Sequence, residues 1–190
     1  MEFIQSYEEF DKYYMSNLNE FDDSINSELH HENYYIKSYQ SLILPNIYNK
    51  IDNKEFMYIQ IEKLDLSKNT NLTNIGKYAF ATCNIKELKL PKDIETIGPF
   101  AFSNNQIEIL DFSKYLNLKK IGAYAFSVNP LKEIKILGNI TIDYIVAYKN
   151  DIWNEFVKYY NKNNKKTGDY KYINDDWQRY PLKKIKYEKK

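Results

Sequence analysis

The chain holds one cysteine, Cys83, and two histidines, His30 and His31, in 190 residues. A lone cysteine excludes an internal disulfide, and nothing else points to an oxidising compartment. Adjacent histidines on a helix face different ways, and no Cys/His cluster has metal spacing, so no metal is expected. The patterns GxxxxGK[ST], GxGxxG and GxSxG, which cradle phosphates or present a nucleophile, are missing. Acid pairs such as Asp22/Asp23 and Asp175/Asp176 have nothing nearby to raise a pKa and read as solvated carboxylates, not general acids. The chain is therefore expected to be no enzyme and to use no cofactor. No apolar run approaches ~18 residues, so no helix should span a membrane. The stretch "MEFIQSYEEFDKYY" has neither the basic nor the apolar region of a signal peptide, which makes a cytoplasmic location the expectation.

Net charge is also scarce, at +1. That average hides two poles. Residues 1–35 carry nine acids against Lys12 alone, a net of −8, and residues 150–190 carry eleven basic residues against six acids, a net of +5. The whole chain is thus no electrostatic partner for nucleic acid or membrane, although its basic end could contact nucleic acid. A solvated tail explains "PLKKIKYEKK" more simply.

Glycine is scarce too, and three of the five glycines stand in one returning phrase: "IGKYAF" at 75–80, "IGPFAF" at 97–102 and "IGAYAF" at 121–126. Between these phrases lies a second unit, "IEKLDL" at 61–66, "IKELKL" at 85–90, "IEILDF" at 107–112 and "LKEIKI" at 131–136, stepping by 24, 22 and 24. A recurrence of this length predicts a solenoid whose coils contact only their neighbours. The alternation at the end of each unit predicts a half-buried strand. The glycine is the place for a conformation closed to residues with a Cβ, or for close approach of a neighbouring backbone. Phe80, Phe102 and Phe126 should stack in a column inside the coils. Cys83, Asn105 and Asn129, three residues on, stand where a small group must satisfy inward-facing loop backbone. Cys83 is accordingly expected to be a ladder residue.

The pattern "LxLPxxIxxIGxxAFxxC/NxLxxL" resembles the leucine-rich repeats of the BspA-like type, strongly over 61–136 and irregularly upstream, where Asp52 and Glu55 replace the glycine and alanine. The resemblance implies an α/β repeat solenoid of about four to five coils with a parallel sheet on one face. The expected organisation is an acidic helical cap at 1–38, repeats at 39–142 and an aromatic, basic cap at 143–190. Within the repeats, 39–60 is degenerate, 61–84, 85–106 and 107–130 are full coils, and 131–142 is partial. At the N-terminus Ser6–Glu9 fits a capping box, and Phe10, Tyr14, Leu18, Phe21, Ile25 and Leu29 form one apolar face. At the other end, 151–180 reads as a short helix, a turn and aromatic strands. Trp153, Phe156, Val157, Tyr160, Tyr170, Tyr172 and Trp177 should pack over the last coil.

In such an array the exposed residues of the strand sheet are the default binding surface. They fall in two columns, Ser41, Lys63, Glu87, Ile109, Glu133 and Ile43, Asp65, Lys89, Asp111, Lys135. The second alternates in sign across neighbours, so a self-neutralising ladder competes with a mixed-charge recognition face. Ile109 is the apolar exception and the candidate anchor. Glu8, Glu9, Asp22 and Asp23 form a second candidate surface. The resemblance implies a non-enzymatic module that binds a protein partner. Many relatives of this kind are exported adhesins, which is the alternative location and role. The Asn/Lys/Ile/Tyr-rich composition points to an AT-rich genome such as that of a low-GC bacterium, its phage or a large virus. In that setting an inhibitor of a host defence protein is one expected role.

Overall fold

The computed structural model describes residues 38–42, 44, 46, 48–145 and 151–182. The expected helical cap at 1–38, and with it Glu8, Glu9, Asp22 and Asp23, lies almost wholly outside the described residues, as does Ile43.

Each coil contributes two short strands. The first positions are β1 (Ser38–Leu42), β3 (Gln60–Asp65), β5 (Glu87–Lys89), β7 (Ile109–Asp111) and β9 (Glu133–Ile136). The second positions are β2 (Lys50–Ile51), β4 (Asn74–Ile75), β6 (Thr96–Ile97), β8 (Lys120–Ile121) and β10 (Thr141–Ile142). The second strands form one continuous parallel sheet of five, in the order β10-β8-β6-β4-β2. The first strands form two separate sheets, β1-β3-β5 and one that begins with β7-β9. Among the described residues the coils hold no helix. This corrects the α/β expectation for the repeat: the array is a β-solenoid, because the return segment is six residues long and contains a left-handed residue that no helix accommodates.

The spacing of apolar residues explains the coil. Ile61, Leu64 and Leu66, with Ile85 and Leu90, Ile107, Leu110 and Phe112, and Leu131, Ile134 and Ile136, are all buried. Phe56, Phe80, Phe102 and Phe126 stack with centroids 5.2, 5.5 and 5.3 Å apart, near the pitch of a parallel ladder. Between the two explanations for the glycines, close approach is the right one. No glycine has a positive φ. A Cβ on Gly98 would sit 2.7 Å from the carbonyl carbon of Gly76 and the nitrogen of Lys77. The left-handed conformation instead recurs two residues later, at Lys54, Tyr78, Phe100 and Tyr124, and again at Tyr58, Thr82, Asn104 and Val128.

The inward loops are satisfied by side chains. Asn105 Oδ1 accepts from the Cys83 and Ile85 N–H groups, at 3.1 and 2.9 Å, and its Nδ2 donates to the carbonyls of Phe80 and Phe102. Asn129 repeats the arrangement with the Ile107 N–H and the carbonyls of Phe102 and Phe126. Cys83 takes the same place in its coil. Its Sγ donates to Phe56 O at 3.0 Å, and burial pushes the thiol up to about 12, which leaves it a packing group and not a nucleophile.

Beyond β10 the parallel array ends in the helix α1 (Ile152–Lys162) and the strands β11 (Gly168–Ile173) and β12 (Asp176–Tyr180). The N-cap Asp151 accepts from Asn154 N, and also from Val128 N and Ser127 Oγ of the preceding coil. It therefore fills the role that the next coil would have filled. Trp153 meets Phe126 at 5.1 Å and continues the aromatic column into Phe156, Tyr170 and Trp177. β11 runs antiparallel to β9 and to β12, which reverses the strand direction at this end.

Two substitutions test this account by urea unfolding. Gly98→Ala is expected to destabilise by about 3 kcal/mol, because two backbones must separate to admit one methyl. Val128→Asn is expected to stabilise by about 1 kcal/mol, since Val128 holds φ 55° while the same position one coil earlier is Asn104.

Candidate functional site

The strand face is built by alternation. Leu64 and Leu110 point inward, so Lys63, Asp65, Ile109 and Asp111 point out, and the same register carries Glu87, Lys89, Glu133 and Lys135 to this face. In-register pairing places Lys63 beside Glu87, Asp65 beside Lys89, Ile109 beside Glu133 and Asp111 beside Lys135.

The charges divide differently from a simple alternating column. Lys63 Nζ meets Glu87 Oε1 at 2.7 Å, and Lys89 Nζ meets Asp65 Oδ2 at 3.1 Å. Lys135, however, turns to Glu133 on its own strand at 2.7 Å, with Lys171 of β11 3.6 Å from the same carboxylate. Asp111 accepts from the backbone N–H and the hydroxyl of Ser113. β11 lies along β9 and brings Lys171, a cation that the repeat alone does not contain, to the Glu133 carboxylate. Glu133 is held below the usual carboxylate range, first by its bond to Lys135 and then by the nearby Lys171. These exposed pairs are screened by solvent and add little to stability. Most of the charge on this face is therefore already answered within the protein.

Ile109 has no such answer. It is 59% exposed at the centre of the face. Beside it the sheet is interrupted, since β5 and β7 do not pair. The gap forms a shallow notch with room for about one water, roughly 10 Å³, lined by Leu88, Leu90, Ile109, Leu110, Phe112 and Tyr115 together with the charged Asp111. Leu116, next to Tyr115, is 80% exposed.

Leu88 holds the fourth, apolar place of its strand unit, whereas Tyr115 and Leu116 are absent from the residues that the repeat pattern selected. A signal for both of these lies in a longer period. Coil 107–130 aligns with coil 61–84 at an offset of 46 with 13 of 24 residues identical, including Ile-Glu at its start, Leu-Asp in the strand, Ser-Lys after it and Ile-Gly in the return. Against that frame Lys63 becomes Ile109, Asn69 becomes Tyr115 and Thr70 becomes Leu116. Three polar side chains are replaced by apolar ones along a short stretch of one coil.

Among the described residues no three of His, Cys, Asp and Glu converge as metal ligands, and no helix is long and apolar enough to cross a membrane. The family model "BspA type leucine rich repeat region" matches residues 23–154 in six copies. No curated protein and no solved structure matches the chain.

Asp65 gives the face a pH signature. Its bond from the Ser67 hydroxyl leads the causes that lower it from 3.8 to about 2, with the Ser67 N–H and Lys89 assisting. A depressed folded pKa means stability that is whole above about 4 and is lost as pH falls toward about 2. Urea midpoints of wild type and Asp65→Asn should therefore differ at pH 6 and converge by pH 2.

Proposed function

The chain belongs to the BspA-type leucine-rich repeat family, and from that premise we propose that it is a non-enzymatic module that binds a protein partner through the strand face centred on Ile109. The family is generally one of protein-interaction modules.

The observation that carries this reading is the internal comparison of the two matching coils. Coil 61–84 folds with Lys63, Asn69 and Thr70, so the frame does not require apolar residues at these positions. Coil 107–130 nevertheless exposes Ile109 at the notch and Leu116 immediately after the notch residue Tyr115 in the chain. Exposed aliphatic surface gains nothing in the free protein and gains about 25 cal/mol per Å² when a partner covers it. Around it stand Glu87, Lys89, Asp111 and Glu133, a polar rim about an apolar centre, which is the usual anatomy of a recognition surface. The pairs that Glu87, Lys89 and Glu133 make with Lys63, Asp65 and Lys135 orient these side chains before any partner arrives, which limits the ordering cost on binding.

The test is affinity capture from lysate, run with wild type, Ile109→Glu, a double variant Ile109→Lys/Leu116→Thr, and a variant with Glu8, Glu9, Asp22 and Asp23 changed to Lys. The double variant copies residues that coil 61–84 already carries, so it should keep its wild-type unfolding midpoint. A captured protein should be lost with either Ile109 variant, and its Kd should weaken by about 30-fold or more, as for a central anchor worth ~2 kcal/mol. Loss only with the charge-reversed variant would move recognition to the acidic N-terminal segment. Nucleic acid captured equally by all four would overturn the reading in favour of the basic C-terminal region.

A further inference from the structure

The step from β5 to β7 is the same step, 46 residues on, as the step from β1 to β3. At the first, the strands pair, with Ser41 beside Lys63 and Leu42 beside Leu64. At the second, they do not. The difference shows at the last residue of each strand unit. Leu66 N–H donates to Lys89 O at 2.8 Å and Phe112 N–H to Lys135 O at 2.7 Å. Leu90 N–H, in the equivalent place, donates to the Tyr115 hydroxyl at 3.1 Å. At the second residue of the unit, Lys86 N–H donates to Glu62 O and Lys132 N–H to Glu108 O. Among the described residues no such bond runs from Glu108 to Lys86, and the last backbone bond between these two coils on this side is Gln106 N–H to Ile85 O at 2.8 Å, ahead of both strands.

The ion pairs follow the same division. Lys86–Glu62, Lys63–Glu87 and Lys89–Asp65 join β3 to β5, and Lys132–Glu108 joins the coil of β7 to that of β9. Among the described residues none crosses from β5 to β7 on this face. Elsewhere the same two coils are fully joined. β6 pairs β8, Lys119 meets Glu95 at 2.8 Å, Phe102 stacks on Phe126, and Phe102 N–H donates to Ala125 O.

Tyr115 accounts for the split. At the zipped step its place is taken by Asn69, whose short side chain donates to Leu44 O at 3.3 Å, and Thr70 is clamped to Asn46 by two hydrogen bonds. At the open step a buried tyrosine ring stands between the strand ends, and the clamp residues are Lys92 and Leu116. One edge of the contact is thus wedged apart while the opposite edge keeps its ladder.

We infer that the seam between β5 and β7 is a hinge built into the array. The coils before it and the coils after it move as two rigid blocks about the β6–β8 edge, and the strand face opens and closes at the seam. The inference rests on the bonding pattern alone and stands whether or not Ile109 binds a partner.

Amide hydrogen exchange on the full chain tests it. Leu90 and Glu108 should exchange at least tenfold faster than their equivalents Leu66, Phe112, Lys86 and Lys132. Tyr115→Asn, which copies the zipped step, should slow both. If that variant does not fold, Tyr115→Phe keeps the ring and removes only the acceptor, and Leu90 alone should then exchange faster still. Spin labels at Glu62→Cys and Lys132→Cys report the motion itself, since buried Cys83 stays unlabelled. Their distance distribution should be broad in wild type and narrow in Tyr115→Asn or in any variant that slows the seam. Seam amides as slow as their equivalents, or a narrow distribution in wild type, would overturn the hinge.

Discussion

Neighbouring coils are held one ladder spacing apart by backbone hydrogen bonds, and every other feature of this protein must fit that pitch. The return segment is where the constraint is tightest. At Gly76, Gly98 and Gly122 the backbones of successive coils approach until no Cβ can stand between them. Phenylalanines one coil apart then lie at stacking distance, close enough to fill the interior and too close for any larger offset. The non-glycine residues Tyr78, Phe100 and Tyr124 accept a left-handed backbone so that the chain can turn within six residues. Their rings stack in a second column, at 4.8 and 4.9 Å, which offsets part of that strain.

A fixed pitch also leaves loop amides and carbonyls pointing inward, away from water. Asn105 and Asn129 meet them with one carboxamide each, accepting on one side and donating on the other. A thiol serves at Cys83 because it can donate to a carbonyl, although it cannot serve as many partners as a carboxamide. At the end of the array Asp151 takes over for the absent coil, and desolvation raises its carboxyl above the ordinary range even as three donors hold it. The termination of the solenoid is therefore a change of donor and acceptor partners as much as a covering of apolar surface.

The strand face is where the pitch is relaxed. Among the described residues ion pairs join β3 to β5 along the ladder and none crosses the seam, where an aliphatic residue takes the place of a charge and a tyrosine hydroxyl takes the place of a carbonyl. The proposed recognition surface and the proposed hinge meet there. A partner seated on Ile109 would touch the one place on the face where backbone pairing does not oppose movement, so binding and block motion would be energetically coupled.

The repeat, its length and its inward residues were legible in the sequence because each follows from local alternation and from a period that recurs within a few dozen residues. Ile109 was legible for the same reason, as an apolar residue at an outward position. Whether the glycines served turn geometry or close approach depended on the neighbouring backbone, which no single coil specifies. The second cation on Glu133, Lys171, came from β11, more than thirty residues away in the chain. The break between β5 and β7 was the least legible feature. Tyr115 reads as one more buried aromatic until the adjacent coil is in place, and only then does its hydroxyl stand where a ladder carbonyl belongs. Sequence determined what each coil is, since that is set by bonds between near neighbours. Tertiary structure decided how each coil meets the next, because that depends on the volume and polarity of side chains from two coils at once.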